Sequence, residues 1–106
     1  MAAERILIVV DERAIQTSLK GVLEDEGYSV WAMGKATDVL TRISEEPPDL
    51  VLLDIWMPGM DGLDLLAEIK KVRPEVAVVM ISGHGTIETA VRATKLGAYD
   101  FIEKPL

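Results

Sequence analysis

The sequence predicts an α/β domain: a doubly wound sheet of parallel strands with helices packed on both faces. Three observations predict it. Short apolar runs alternate with segments of helical period along the whole chain. Several of those runs are almost unbroken in apolar residues, as strands buried on both faces require. Each segment between them is long enough to carry the crossover helix that parallel strands need. At 106 residues there is room for one small domain, and 49% hydrophobic residues supply its core.

The first strand is read over Ile6-Leu7-Ile8-Val9-Val10. After it, Ile15, Leu19, Val22 and Leu23 recur on one helical face, and Gly27 follows as a residue free to take positive φ. Ser29 to Met33 forms the second strand. Ala36, Val39, Leu40 and Ile43 set the second helix, which Pro47-Pro48 stops. Leu50 to Leu53 is the third strand. Leu65, Leu66 and Ile69 set the third helix, capped by Asp61 and ended before Pro74. Val76 to Ile81 is the fourth strand. Ile87, Ala90, Val91 and Thr94 share the face of a fourth helix, closed by Gly97. Tyr99 to Glu103 alternates in polarity, which suits a strand at the sheet edge. Right-handed crossovers then wind the helices onto both faces. A fifth helix would be expected over the last strand, yet the sequence stops at Leu106. The reading is one domain over residues 1–106, cut before its fifth helix from the N-terminal part of a longer protein. Its uncovered face would favour dimerisation or swapping.

Composition excludes several functions. A net charge of −7 makes direct nucleic-acid binding a poor fit, since such binding leans on cations that neutralise phosphates. With no cysteine there are no disulfides or thiolate metal sites, in keeping with a reducing compartment. The apolar runs are too short to span a bilayer, and Met1-Ala2-Ala3-Glu4-Arg5 lacks a signal-peptide layout. A cytoplasmic domain without membrane contact is expected. A flavin or nucleotide enzyme on the same fold would want a glycine-rich phosphate loop, and no G-x-G-x-x-G or G-x-x-x-x-G-K-[ST] pattern occurs.

Open parallel sheets gather ligands at the carboxyl ends of their strands. Those ends carry Asp11 and Glu12, then Asp54, then Ser82, then Lys104-Pro105. Taken singly, each has an ordinary reading. Asp54 suits a turn or cap, Ser82 a helix N-cap, Lys104 a solvated strand end, and Glu12 a first-turn acid. Together they place carboxylates, a hydroxyl and an ammonium on one rim. Such a rim suits Mg²⁺ beside a phosphoryl group. A carboxylate there can attack phosphorus to form an aspartyl phosphate, with the cation, the lysine and the hydroxyl neutralising the oxygens.

Three blocks carry a resemblance. Leu53-Asp54-Ile55-Trp56-Met57-Pro58-Gly59-Met60-Asp61-Gly62 resembles the phosphoacceptor loop of response-regulator receivers. Met80-Ile81-Ser82-Gly83-His84-Gly85 and Gly97-Ala98-Tyr99-Asp100-Phe101-Ile102-Glu103-Lys104-Pro105 resemble the ends of that family's fourth and fifth strands. The wording of the last two is similar to receivers of the nitrogen-regulation type, often joined to sigma-54-dependent ATPase and DNA-binding domains. The resemblance implies a flavodoxin-like five-stranded sheet of order 2-1-3-4-5. It implies Asp54 as phosphoacceptor and metal ligand, and Asp11 and the Trp56 backbone carbonyl as further Mg²⁺ ligands, with Glu12 a lesser candidate. Ser82 and Lys104 would contact phosphoryl oxygens. Ser82 and Phe101 would form the switch, and Lys104-Pro105 would be the cis bond. It further implies a sensor histidine kinase as partner, an output domain in the parent chain that regulates transcription, and a homodimer through the fourth helix and fifth strand. The domain would assist its own phosphorylation and dephosphorylation without being a turnover enzyme.

One position departs from the pattern. The family has two adjacent acids after the first strand, and the spacing to Gly21 and Gly27 puts Val10 where the first belongs. A shift of one residue would instead make Asp11-Glu12 the pair. With Val10 the site has one carboxylate fewer and should bind Mg²⁺ more weakly. This feature favours the alternative of a pseudo-receiver, an interaction module that is not phosphorylated. Trp56 and His84 flank the acceptor and would control water access to it, although His84 as the single histidine reads otherwise as a loop residue. Trp31 reads as packing on an outer strand, and Phe101 reads equally as plain core.

Overall fold

A computed structural model describes residues 4–57, 60–83 and 87–103, with the side chains of Ala36, Trp56, Met57 and Met60 outside that description. The elements follow the alternation of apolar runs: β1 (Arg5–Val9), α1 (Arg13–Asp25), β2 (Ser29–Met33), α2 (Ala36–Glu45) and β3 (Leu50–Asp54) come first. Then come α3 (Gly62–Val72), β4 (Ala77–Ser82), α4 (Ile87–Lys95) and β5 (Asp100–Glu103). The five strands form one parallel sheet in the order β2-β1-β3-β4-β5, the flavodoxin-like order expected. β5 is an edge strand, as its alternating polarity required. Among the described residues no helix follows β5. None of the described helices is long and apolar enough to cross a membrane.

Strand alternation divides the core in two. Leu7, Val9, Val51, Leu53, Val78 and Met80 face one way, against Val39 and Ile43 of α2, Leu65, Leu66 and Ile69 of α3, and Ala93 of α4. Ile6, Ile8, Val10 and Val30 face the other way, against Ile15, Leu19 and Leu23 of α1. Each such aliphatic side chain stabilises the fold by about 1.5–3 kcal/mol on burial. The most deeply buried strands, β1, β3 and β4, are therefore held rigidly from both sides. Trp31 packs from outer strand β2, with the Arg42 guanidinium 4.4 Å from its ring centroid.

The termini of the helices obey local chemistry. Asp61 caps α3, its Oδ1 accepting from the Leu63 amide at 2.8 Å. Gly27 (φ 97°) and Gly97 (φ 106°) end α1 and α4 in the left-handed region that glycine takes without strain. Two expected faces need correction. Val22 is 60% exposed, because the inward row of α1 is the partly buried Ile15-Leu19-Leu23 at i+4 spacing and Val22 falls on its flank. On α4 the expected core face points outward: Ile87 is 87% and Val91 46% exposed, while the helix rests on Ala93. Helical period fixes that a stripe exists but not which side the sheet takes. β1 also ends at Val9, so Val10 is buried beyond the ladder, and β5 begins at Asp100, leaving Tyr99 outside it.

Candidate functional site

The site is assembled from the carboxyl ends of β1, β3 and β4, around the point where strand order reverses between β1 and β3. β3 ends at Asp54, which is only 3% exposed. Its place is fixed by register: Leu53 lies beside Val9, Asp54 beside Ile81, and the Ile55 amide donates to the Ile81 carbonyl at 3.0 Å. Ser82 closes β4 one residue beyond and is fully buried. Adjacent strands lie about 4.8 Å apart, so the Asp54 carboxylate and the Ser82 hydroxyl fall within reach of one phosphoryl-sized group. Asp54 and Ser82 both make polar contacts within the protein. On the other side, β1 runs out through buried Val10 to Asp11 and Glu12, both exposed. Glu12 is the N-cap residue of α1 and makes no side-chain cap.

The backbone after Asp54 turns into a two-stranded antiparallel ribbon, pairing Trp56 with Asp61 and Met57 with Met60. Sequence reasoning did not foresee it, because strands of two residues leave no periodic signal. The ribbon returns the chain to Asp61 and Gly62, so that α3 begins directly against the end of β3. The Gly62 amide donates to the Ile55 carbonyl at 2.8 Å. A Cβ on Gly62 would stand 2.5 Å from both the Asp54 carbonyl oxygen and Ile55 Cα. Only glycine permits that approach. Gly62 stands in the block that resembles a phosphoacceptor loop, but its packing role appears only when α3 and β3 are seen together.

The oxygens available suit a hard cation: a buried carboxylate on Asp54, a second on Asp11, and backbone carbonyls of the loop. Mg²⁺ is commonly bound through one or two carboxylates together with phosphate oxygens, so this set fits it. Among the described residues no three acidic, histidine or cysteine side chains converge as a metal cluster. Val10 is fully buried on the same face of the sheet as Ile8, where an acid would add a third carboxylate. Phe101 on β5 lies beside Met80 and packs half-buried against the core. Lys104, the Lys104-Pro105 bond and His84 lie outside the described residues, as does the Trp56 side chain.

Comparison with known proteins agrees with this fold. The profile of the response regulator receiver domain matches residues 6–106. The nitrogen assimilation regulatory protein NtrX of Azorhizobium caulinodans is 57% identical over 105 residues, which cover 97% of this chain and 23% of that protein. The chain thus spans under a quarter of that relative's length. The crystal structure of the receiver domain of NtrX from Brucella abortus superposes with a TM-score of 0.89 at 54% identity, covering 95% of this chain and 86% of that one. The solution structure of the beryllofluoride-activated NtrC4 receiver domain dimer gives 0.92 at 41% identity, covering 96% and 84%.

Proposed function

The chain belongs to the response regulator receiver family of two-component signalling, and on that premise we propose that it is a phosphorylation-dependent switch with Asp54 as its acceptor. One observation carries the reading: Asp54 is a buried carboxylate at the end of central β3, in register beside the strand that ends in buried Ser82. The donor is the phosphohistidine of a partner sensor kinase. An Asp54 carboxylate oxygen attacks phosphorus, the phosphorus–nitrogen bond of the donor breaks, and the acyl phosphate remains on the aspartate. When bound, Mg²⁺ neutralises the phosphoryl oxygens; Asp11, Asp54 and the Trp56 carbonyl would hold it, with Glu12 nearby. Ser82 donates its hydroxyl to a phosphoryl oxygen and Lys104 pairs with another.

The new contact at Ser82 biases a pre-existing equilibrium at the end of β4, and Phe101 on adjacent β5 follows it. The surface so changed holds Ile87, Val91, Tyr99 and Ile102, all exposed, and supports a homodimer interface that controls an output domain in the parent chain. That output is transcriptional, as in regulators of the NtrX and NtrC type. Titration with Mg²⁺ and then beryllofluoride, followed by tryptophan fluorescence, tests the reading. A saturable change that disappears in Asp54→Asn is expected. Silence in folded protein would instead support the second reading, a pseudo-receiver, which the buried Val10 favours.

A further inference from the structure

We propose that Gln16 is a positioning residue for the metal and phosphoryl site, holding the β1–α1 turn that carries Asp11 beside the end of β3. The proposal rests on the reading of Asp11 as a metal ligand. The turn has few ties of its own. β1 leaves the ladder at Val9, and α1 starts from Glu12, which supplies no side-chain cap; no acid lies in the first helical turn. A helix start without caps frays, and here the fraying end carries Asp11.

Gln16 closes the gap. Its backbone amide donates to the Glu12 carbonyl at 3.1 Å, the first helical bond of α1. Its side chain turns back, and Nε2 donates to the carbonyl of Val10, the residue just before Asp11. One residue therefore grips the turn on both sides of Asp11. The β2–α2 loop packs over this contact, since a Cβ on Gly34 would stand 3.7 Å from Gln16 Nε2 and 3.8 Å from the Val10 carbonyl oxygen. The contact is part-buried, where a hydrogen bond loses less to competing water. The Val10 side chain is apolar and sits in the α1 core, so it offers no charge to orient the turn from within the site. The neutral amide of Gln16 fixes the backbone instead. Groups that orient metal ligands from outside the coordination sphere influence affinity strongly.

The experiment is an Mg²⁺ titration of the intact chain, with MgCl₂ alone, followed by backbone amide NMR shifts at positions 10–12 and 54. Gln16→Met keeps the length and removes the donor; Gln16→Lys restores a donor of similar reach; Asp11→Asn sets the loss from removing the ligand itself. Expected are Mg²⁺ binding about tenfold weaker in Gln16→Met, recovery in Gln16→Lys, and a metal-free denaturation midpoint lowered by no more than the loss of one hydrogen bond entails. Wild-type affinity in Gln16→Met, with Asp11→Asn weakened, overturns this proposal and leaves the reading of the site intact. Wild-type protein indifferent to Mg²⁺, or Asp11→Asn with full affinity, overturns both. Should Gln16→Met not fold, the wild type alone decides. Gln16 side-chain amide protons protected from exchange and shifted by Mg²⁺ uphold the proposal, and amide protons that exchange freely and ignore the metal refute it.

Discussion

At the scale of single residues, two positions beside Asp54 carry more consequence than their chemistry suggests. Gly62 has no side chain, yet it sets how near α3 can come to the end of β3. Gly62→Ala would drive a Cβ to 2.5 Å from the Asp54 carbonyl oxygen and force the loop apart. The expected cost is about 1–3 kcal/mol in denaturant unfolding, as for other overpacking changes, together with slower labelling of Asp54 by a small phosphodonor. Labelling at the wild-type rate would show that the close approach serves stability alone. Val10 makes the opposite trade. It is fully buried on the α1 side of the core, where an acid would have to be desolvated. Val10→Asp should lower metal-free stability by about 1–3 kcal/mol and tighten Mg²⁺ binding, so that added Mg²⁺ restores much of the loss. Melting curves with and without Mg²⁺ check both signs, and a variant that neither loses stability nor gains affinity would count against this account.

At the scale of elements, the helix ends are where the sequence speaks most directly. Asp61 follows the ribbon and caps α3, linking the acceptor loop to the helix with one side-chain bond of 2.8 Å. Removing it in Asp61→Ala should cost about 1 kcal/mol, the usual worth of such a cap, read as a shift in urea midpoint with unchanged slope. Gly97 is held differently. Its φ of 106° disfavours any side chain, and a Cβ there would meet the stem of Lys70 at 3.2 Å. Lys70 is itself committed, since its Nζ donates to the carbonyls of Pro74 and Val76 at 2.9 and 2.8 Å. The turn from α4 into β5 is thus packed against the end of α3.

At the scale of the whole molecule, the helices bury unequal shares of their surface. α3 inserts Leu63, Leu65, Leu66 and Ile69 into the core, whereas α4 buries Ala93 and turns Ile87 and Val91 to solvent. A helix held by so few apolar contacts can shift at low cost, and its outward stripe is suited to a second copy. Beryllofluoride-treated protein is expected to dimerise, and Val91→Asp to keep it monomeric without changing its Mg²⁺ response. Sedimentation velocity with and without beryllofluoride measures this. A Val91→Asp dimer as strong as the wild type would move the interface elsewhere.

The order of elements and the parallel sheet were determined by the sequence itself, because local pattern carries them. Apolar runs such as Ile6 to Val9 announce doubly buried strands, Asp61, Gly27 and Gly97 mark helix ends by backbone chemistry, and Asp54 and Ser82 stand at strand ends. Tertiary structure alone decided what depends on contacts distant in sequence. It turned the α4 stripe outward, left Val22 on the flank of α1, folded the ribbon after Asp54, and brought Gly62 against the Asp54 backbone and Gln16 against the Val10 carbonyl. Periodicity tells a residue's angle about its own helix, but only the packing of one element on another tells what lies in that direction.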